Sequence, residues 1–209
     1  GIFVLDCIAS GCLWVDMKTM GVDVLVSAPQ KGWSGSPCCG LVMMGERGVA
    51  ALEASTSTSF ACDLKKWRDI MAAYENGGHA YQATMPTDSI ASFADVMRET
   101  EQYGFAKVKS EQQELGDAVR SLLASKGIKS VAAEGFGAPG VVVSYTEDTA
   151  IQNGSKFAAL GIQIAAGVPL MCDEPEGFRT FRLGLFGLDK LHNVERSVAT
   201  LDEALSQVL

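Results

Sequence analysis

The sequence predicts an α/β fold, with a mostly parallel sheet and flanking helices, followed by a small α+β unit. Two short apolar runs, residues 2–5 and 22–26, lie far enough apart in the chain for a crossover connection between parallel strands. A third apolar run, residues 40–44, follows the loop 32–37, which is rich in glycine, serine and proline. We expect these three runs to be neighbouring strands of one buried sheet.

The elements after this sheet are predicted from the periodicity of apolar residues. Helices are expected at residues 45–52, 63–75, 87–103, 105–125, 149–160 and 188–209, and strands at 128–133, 141–145, 162–165 and 180–185. This mixed order of helices and strands indicates the small α+β unit.

The helix expected at residues 87–103 has apolar residues at helical spacing, and Thr87 or Asp88 is its expected N-cap. Its length suits a helix that bridges two domains. We therefore expect residues 1–88 to be the carboxy-terminal part of a large domain, and residues 89–209 to hold the interdomain helix and a small domain.

Composition and charge exclude several classes of partner. The 209 residues are 47% apolar and 20% charged, which is ordinary for a globular protein, and no apolar run is long enough to span a bilayer. The 17 Lys and Arg against 25 Asp and Glu give a net charge of −8, and no basic patch offsets it. We expect neither a membrane nor a nucleic acid as partner.

The cysteines and histidines predict no metal site. The cysteines lack the two-residue spacing of a zinc site, and the histidines, His79 and His192, are far apart in the chain. Such cysteines are typically buried, reduced thiols, which favours a cytoplasmic protein. They are Cys7, Cys12, Cys38, Cys39, Cys62 and Cys172. The chain opens directly on an apolar run, without a methionine or a signal peptide, so we expect a fragment of a longer protein.

An acid and a lysine lie at the ends of the first two predicted strands. Asp6 ends the first run, and Lys31 follows the second in the stretch VDVLVSAPQK. Ligands of open α/β sheets bind beyond the carboxyl ends of the strands, where one ligand can contact both residues. A lysine there can form a Schiff base with an aldehyde cofactor, and a carboxylate can keep a pyridine nitrogen protonated. The pair indicates pyridoxal 5′-phosphate (PLP); the alternative is a solvated surface lysine.

The segment around this pair resembles the cofactor-binding core of class V aminotransferases, most closely the alanine-glyoxylate and serine-pyruvate branch. It reads LDCIASGCLWVDMKTMGVDVLVSAPQKGWSG, and its matches to the family pattern are Asp6, Ser10, Gly21, Asp23, Gln30 and Lys31. The resemblance implies part of a fold-type I PLP-transferase large domain, followed by a small carboxy-terminal domain. It also implies that Lys31 forms the Schiff base, Asp6 pairs with the pyridinium nitrogen, Ile8 lies against one ring face and Gln30 helps to hold the phosphate.

Two downstream segments extend the resemblance. In HAYQATMP, Tyr81 and Thr84 match residues that reach the cofactor phosphate of the neighbouring subunit in a homodimer. In FRTFRLGLFG, Arg182 matches the arginine that binds the substrate carboxylate, a task that suits its planar guanidinium. Arg179 is expected to be structural or solvated.

These assignments imply a PLP-dependent transaminase that exchanges an amino group between alanine or serine and glyoxylate or pyruvate by a ping-pong mechanism. Lys31 then both anchors the cofactor and moves the α-proton. One alternative is a cysteine desulfurase or lyase of the same fold with Cys172 as its nucleophile, although desulfurases typically have a histidine where this chain has Gln30. The other is a non-catalytic fragment, because the family's amino-terminal half supplies the phosphate cup and the stacking aromatic residue.

Overall fold

Helices and strands alternate along the chain, and the structure, a computed structural model, describes residues 1–209. In chain order the elements are β1 (Val4–Asp6), α1 (Met17–Met20), β2 (Val24–Ser27), β3 (Leu41–Met44), α2 (Glu46–Ala54), α3 (Leu64–Glu75), α4 (Thr87–Tyr103), α5 (Phe105–Ser125), β4 (Val141–Tyr145), α6 (Thr149–Gln152), α7 (Ser155–Ala158), β5 (Ala165–Ala166), β6 (Thr180–Gly184), α8 (Leu188–Leu191) and α9 (Val194–Val208). The strands form two three-stranded sheets. None of the helices is both long enough and apolar enough to cross a membrane.

The first sheet has the order β1-β2-β3. Strands β1 and β2 are parallel, with Asp6 opposite Val26, which confirms the predicted crossover connection. Strand β3 pairs with β2 in the antiparallel direction, with Leu41 opposite Ser27. The short helix α1, which the sequence did not predict, lies within the crossover and is capped by the Asp16 side chain.

The prediction that this sheet is buried is wrong for one of its faces. Leu5 and Leu25 lie opposite each other and pack against a small cluster that contains Cys7 and Val22. Val4 points to the other face because side chains alternate along a strand, and it is 56% exposed. The sheet is therefore covered on the side of the crossover and open on the other side.

The second sheet has the order β4-β6-β5, and all its pairs are antiparallel. Phe181 and Leu183 of β6 enter the main core, which is completed by side chains of α5 and α9. Residues such as Leu115 and Leu205 are almost completely buried there. Burial of large aliphatic and aromatic side chains contributes about 1.5–3 kcal/mol each, which makes this core the main source of stability.

The long helices have the predicted bounds, and the predicted N-cap is wrong. Helices α4 and α5 begin and end where the sequence predicted, and Gly104 at φ +103° allows the turn between them. Pro86 occupies the N-cap of α4, whereas Thr87 and Asp88 lie within its first turn. The φ of −73° at this N-cap is one that the proline ring allows, and no side chain caps the helix.

Several shorter predictions fail for identifiable reasons. The strand expected at 128–133 is reduced to one bridge between Ser130 and Ser144, because the Ser130 hydroxyl accepts a hydrogen bond from Ala132 N and turns the chain. The helix expected at 149–160 is broken by Gly154 at φ +80° into α6 and α7. The final helix is likewise divided into α8 and α9, and the strand expected at 162–165 is limited to β5.

Candidate active site

Asp6 and Lys31 lie at the same edge of the first sheet. Asp6 is the last residue of β1, and Lys31 comes four residues after the end of β2. Because β1 and β2 are parallel, the loops that follow them leave the sheet on the same side. The structure thereby brings together the loops that carry the predicted catalytic acid and lysine.

Asp6 is exposed, and one of its two carboxylate oxygens accepts a hydrogen bond from its own loop. Its Oδ1 accepts a hydrogen bond from Ile8 N at 2.9 Å, which fixes the orientation of the carboxylate, and its Oδ2 has no hydrogen-bond partner in the chain. The Ser10 hydroxyl donates to Cys7 O at 2.9 Å, so this predicted motif residue shapes the turn. Ile8 is half-buried beside the acid.

Lys31 lies in a turn that is anchored on both sides. Ala28 and Pro29 before it are buried, and Ser34 N donates to Lys31 O at 3.0 Å after it. The lysine side chain is half-buried and takes part in none of the salt bridges of the chain, including any with Asp6. Gln30 next to it is exposed.

A close backbone contact joins the two loops. A Cβ atom placed on Gly32 would lie 2.0 Å from Gly11 O, so only glycine fits directly after Lys31. Next to this contact, the Cys12 thiol donates to Gly32 O at 3.2 Å. Burial raises the pKa of Cys12 to about 11, which keeps it in the thiol form that can donate. The contact fixes the lysine loop against the acid loop.

A cluster of aromatic side chains packs against the loops that follow β1 and β2. Trp33, two residues after Lys31, packs against Trp14 with ring centroids 4.9 Å apart. Its other neighbours are Phe93 of α4 and Phe105 of α5, both in edge-on contact. The Trp14 Nε1–H donates to Phe105 O at 2.8 Å, which satisfies its polar group. The lysine loop is thus packed against both long helices.

Sequence reasoning missed these supporting residues. Gly32 and Trp33 belong to no periodic pattern of the sequence. Their structural role depends on contacts with residues that are distant in the chain. The signal that was present is the combination of small and aromatic residues, GCLW and KGW, directly after two strand ends.

Arg182 lies on β6, the central strand of the second sheet. It is opposite Val143 of β4 and Ala165 of β5, and its Nε donates to Ala166 O at 2.9 Å. Its side chain lies on the face opposite the core residues Phe181 and Leu183, half-exposed, with the terminal guanidinium nitrogens making no hydrogen bond within the chain. Arg179 is exposed just before the strand.

The carboxyl end of β6 connects this arginine strand to the acid loop. Gln112 of α5 is completely buried, and its amide nitrogen donates to Leu185 O at 3.3 Å and to Pro139 O at 3.1 Å. A Cβ on Gly11 would lie 3.4 Å from the Phe186 ring. The segment that follows β6 therefore packs directly on the loop after β1.

Tyr81 and Thr84 lie in the exposed loop between α3 and α4. The Tyr81 hydroxyl and Thr84 Oγ1 share a hydrogen bond of 3.1 Å, and the Tyr81 side chain is 68% exposed. Gln82 Nε2 donates to Phe60 O and fixes the loop. Tyr81 and Thr84 are therefore an exposed pair that is bonded to each other.

The residues at the sheet edge have the chemistry that PLP requires. The amine of Lys31 suits its aldehyde, and the free Oδ2 of Asp6 suits a protonated ring nitrogen. The half-buried Ile8 provides an apolar surface, and the exposed Gln30 amide can donate to a phosphate. The side chains at this end of the sheet therefore fit PLP.

Comparisons with known proteins identify chains that are similar to this one in sequence and in fold. No family model matches this chain. The curated 2-aminoethylphosphonate–pyruvate transaminase of Syntrophobacter fumaroxidans is 24% identical over an alignment of 212 residues, which covers 98% of this chain and 54% of that protein. The solved alanine–glyoxylate aminotransferase of Nostoc sp. has a TM-score of 0.78 at 17% identity, covering 98% of this chain and 54% of its own. For the subgroup IV aspartate aminotransferase of Thermus thermophilus the TM-score is 0.79 at 21% identity, covering 100% and 56%.

The chain has the fold of the carboxy-terminal half of a fold-type I aminotransferase. This confirms the fold that the resemblance around Lys31 implied. The chain spans about half the length of the curated relative that it matches. In this fold the segment that follows β6 of the second sheet contacts the loop that follows Asp6 of the first sheet.

Cys172 lies in the exposed loop that precedes β6. Its N–H donates to the Glu174 carboxylate at 2.8 Å, as do those of Met171 and Leu170. These backbone hydrogen bonds lower the pKa of Glu174 to about 2. The Glu174 carboxylate therefore organises the exposed loop that contains Cys172.

Proposed function

We propose that this chain is the lysine-bearing half of a PLP-dependent class V transaminase that works on a small amino acid and a 2-oxo acid. The observation that carries the proposal is the fixed contact of the Lys31 and Asp6 loops through Gly11 and Gly32 at one sheet edge. The aminotransferase names of the curated relative and of the solved structures support it.

The residues of this chain divide the work at the sheet. PLP, when bound, supplies an electron sink for the pair released at the substrate α-carbon. Lys31 holds the cofactor and then carries the α-proton, while Asp6 keeps the ring nitrogen protonated. Ile8 and Gln30 position the ring and its phosphate. Arg182 binds the substrate carboxylate through its free guanidinium nitrogens.

We propose alanine or serine as the amino donor and glyoxylate or pyruvate as the acceptor, in two ping-pong half-reactions. The Nostoc structure, an alanine–glyoxylate aminotransferase, and the curated relative, which uses pyruvate, support small partners on both sides. Absorbance changes of the PLP-loaded protein with a panel of amino acids test this. The panel includes 2-aminoethylphosphonate, and a response to that donor alone would contradict the alanine or serine assignment.

We further propose a homodimer in which Tyr81 and Thr84 reach the neighbouring subunit's cofactor. Their exposure in the loop before α4 supports this. We place the domain boundary near residue 88, with α4 between residues 1–88 and the small domain.

Borohydride reduction in the presence of PLP tests the central assignment. We expect one covalent adduct, on Lys31, located by mass spectrometry of peptides, and loss of both the adduct and transamination in Lys31→Ala. Lys18→Ala is the matched control, since Lys18 is an exposed lysine of α1. An adduct on another lysine, or none, contradicts a catalytic role for this chain and favours the non-catalytic fragment.

A desulfurase of the same fold is the second candidate, because Cys172 is exposed and a cysteine desulfurase from Thermococcus onnurineus has a TM-score of 0.67. Persulfide formation from cysteine that disappears in Cys172→Ala would favour it. We expect no such activity, because desulfurases typically have a histidine at the position where this chain has Gln30.

A further inference from the structure

The loop that follows Lys31 contains two adjacent cysteines, Cys38 and Cys39, that the proposed transamination does not use. Their Sγ atoms lie 3.7 Å apart in hydrogen-bond contact, and both residues are half-buried free thiols. None of the other four cysteines of the chain has a sulfur neighbour at hydrogen-bond distance. Cys38 and Cys39 are thus the one pair of cysteines whose thiols lie within hydrogen-bond distance of each other.

The strand register places this pair beside the lysine segment. Ser27 at the end of β2 is opposite Leu41 at the start of β3, so the cysteines directly precede β3. The segment of the cysteines therefore lies at the same end of the sheet as the segment that leads from β2 to Lys31. Gly35 N donates to Pro29 O at 2.9 Å, which folds the loop between the two segments.

The two sulfurs are poorly placed to join each other in a disulfide. Consecutive Cα atoms are about 3.8 Å apart across a trans peptide, whereas disulfides usually span roughly 4.4–6.8 Å between Cα atoms. The chain contains no cis peptide bond that alters this spacing. A bond between Cys38 and Cys39 would therefore be strained and easily reduced, and the pair persists as two thiols.

The short distance between the two sulfurs favours an acceptor that binds both of them. Burial, together with the neighbouring Cys38 thiol, raises the pKa of Cys39 to about 11. Cys39 is therefore a protonated thiol, and the two sulfurs share one S–H···S contact in which either can be the donor. A soft electrophile that replaces both protons gains two sulfur ligands without the cost of bringing them together.

We propose that Cys38 and Cys39 form a chelating site for a thiophilic electrophile of the trivalent organoarsenical class. The reaction is a ligand exchange at arsenic. Two As–S bonds form and two As–O bonds of R–As(OH)₂ break, and the two thiol protons leave with the two hydroxyl groups as water. The oxidation states of arsenic and sulfur are unchanged, so no oxidant or reductant is needed.

Phenylarsine oxide tests this site on the full chain. The protein is treated with the reagent in the presence of excess 2-mercaptoethanol, which removes arsenic from single thiols, and is analysed by intact mass spectrometry. We expect one adduct per chain, released by the dithiol dithiothreitol. Cys38→Ser and Cys39→Ser should each lower the affinity roughly tenfold or more, because each leaves a single sulfur.

Cys62→Ser and Cys172→Ser are the matched controls, since both replace exposed, isolated thiols, and they should keep the adduct. Thermal unfolding of the serine variants checks that the loop remains folded. An adduct that persists in Cys38→Ser or Cys39→Ser, or its absence from the unaltered chain, overturns the proposal. Neither result depends on whether the chain binds PLP.

Discussion

Among single residues, two glycines determine the geometry of the candidate site. Acidic and lysine side chains such as those of Asp6 and Lys31 occur on many surfaces, whereas the contact of Gly11 with Gly32 fixes the two loops that carry them against each other. Sequence could indicate the acid and the lysine because each follows an apolar strand. It could not indicate the glycine contact, because a close backbone approach has no periodic signature.

Replacing Gly32 by alanine should separate the two loops. The new Cβ would overlap Gly11 O, which we expect to destabilise the chain by about 1–3 kcal/mol, as overpacking commonly does. PLP fixation at Lys31 should fall with it. Gly40→Ala is the control, because nothing lies within 4 Å of its added Cβ. Chemical denaturation and borohydride fixation measure both effects, and equal behaviour of the two variants would contradict the loop contact.

Arg182→Ala should weaken substrate binding more than it affects the chemical step. Hydrogen bonds to a charged group contribute about 1.5–3 kcal/mol, so we expect KM for the amino acid to rise roughly 10- to 100-fold. Arg179→Ala, which alters an exposed arginine outside the strand, should leave KM nearly unchanged. Steady-state kinetics of both variants in the active protein decide the matter; a larger effect of Arg179 would reverse the assignment.

At the scale of elements, long periodic segments were predictable and short ones were not. The bounds of α4, α5 and β4 agree with the sequence because their apolar patterns extend over many residues or alternate cleanly. Gly154, Ser130 and the α8–α9 break interrupt weaker patterns through local backbone chemistry. The loop after β6 packs on the acid loop beside Gln112 of α5, a relation that depends on tertiary packing and has no signature in the sequence.

Gln112 is the residue of α5 that makes this connection. Gln112→Leu leaves the carbonyls of Pro139 and Leu185 without their donor, and each unsatisfied buried group costs about 1–3 kcal/mol. We expect a loss of stability of at least that order. Gln113→Leu changes the neighbouring exposed glutamine, which bonds only Asp117, and should alter stability by about 0.5 kcal/mol or less. Thermal unfolding of the two variants makes the comparison, and similar losses would refute a special role for Gln112.

At the scale of the whole molecule, the assignments of Tyr81 and Thr84 stay predictions. The two residues are exposed and bonded to each other, which is how residues that act on a partner are presented. Sequence indicated them through the family resemblance alone, because an exposed tyrosine and threonine in a loop have no physical pattern that marks a site.

Mixed dimers separate action within a subunit from action on the partner. Lys31→Ala and a Tyr81→Ala/Thr84→Ala double variant should each have low activity, and their co-expression should raise activity above the sum of the two. One of the two sites in a mixed dimer then combines an intact Lys31 with an intact Tyr81 and Thr84 from the partner. Activity no greater than the sum would show that the residues serve their own subunit or neither.

The contact of Gly11 with Gly32 also couples binding to folding. Any opening that parts these glycines separates the acid from the lysine in the same event, so a ligand held by both residues binds only to the closed form. Such a ligand stabilises the closed form by RT ln(1 + [L]/Kd), which is about 2.7 kcal/mol at a hundred times Kd. Amide hydrogen exchange in residues 7–12 and 28–35 would then slow together, as one cooperative unit.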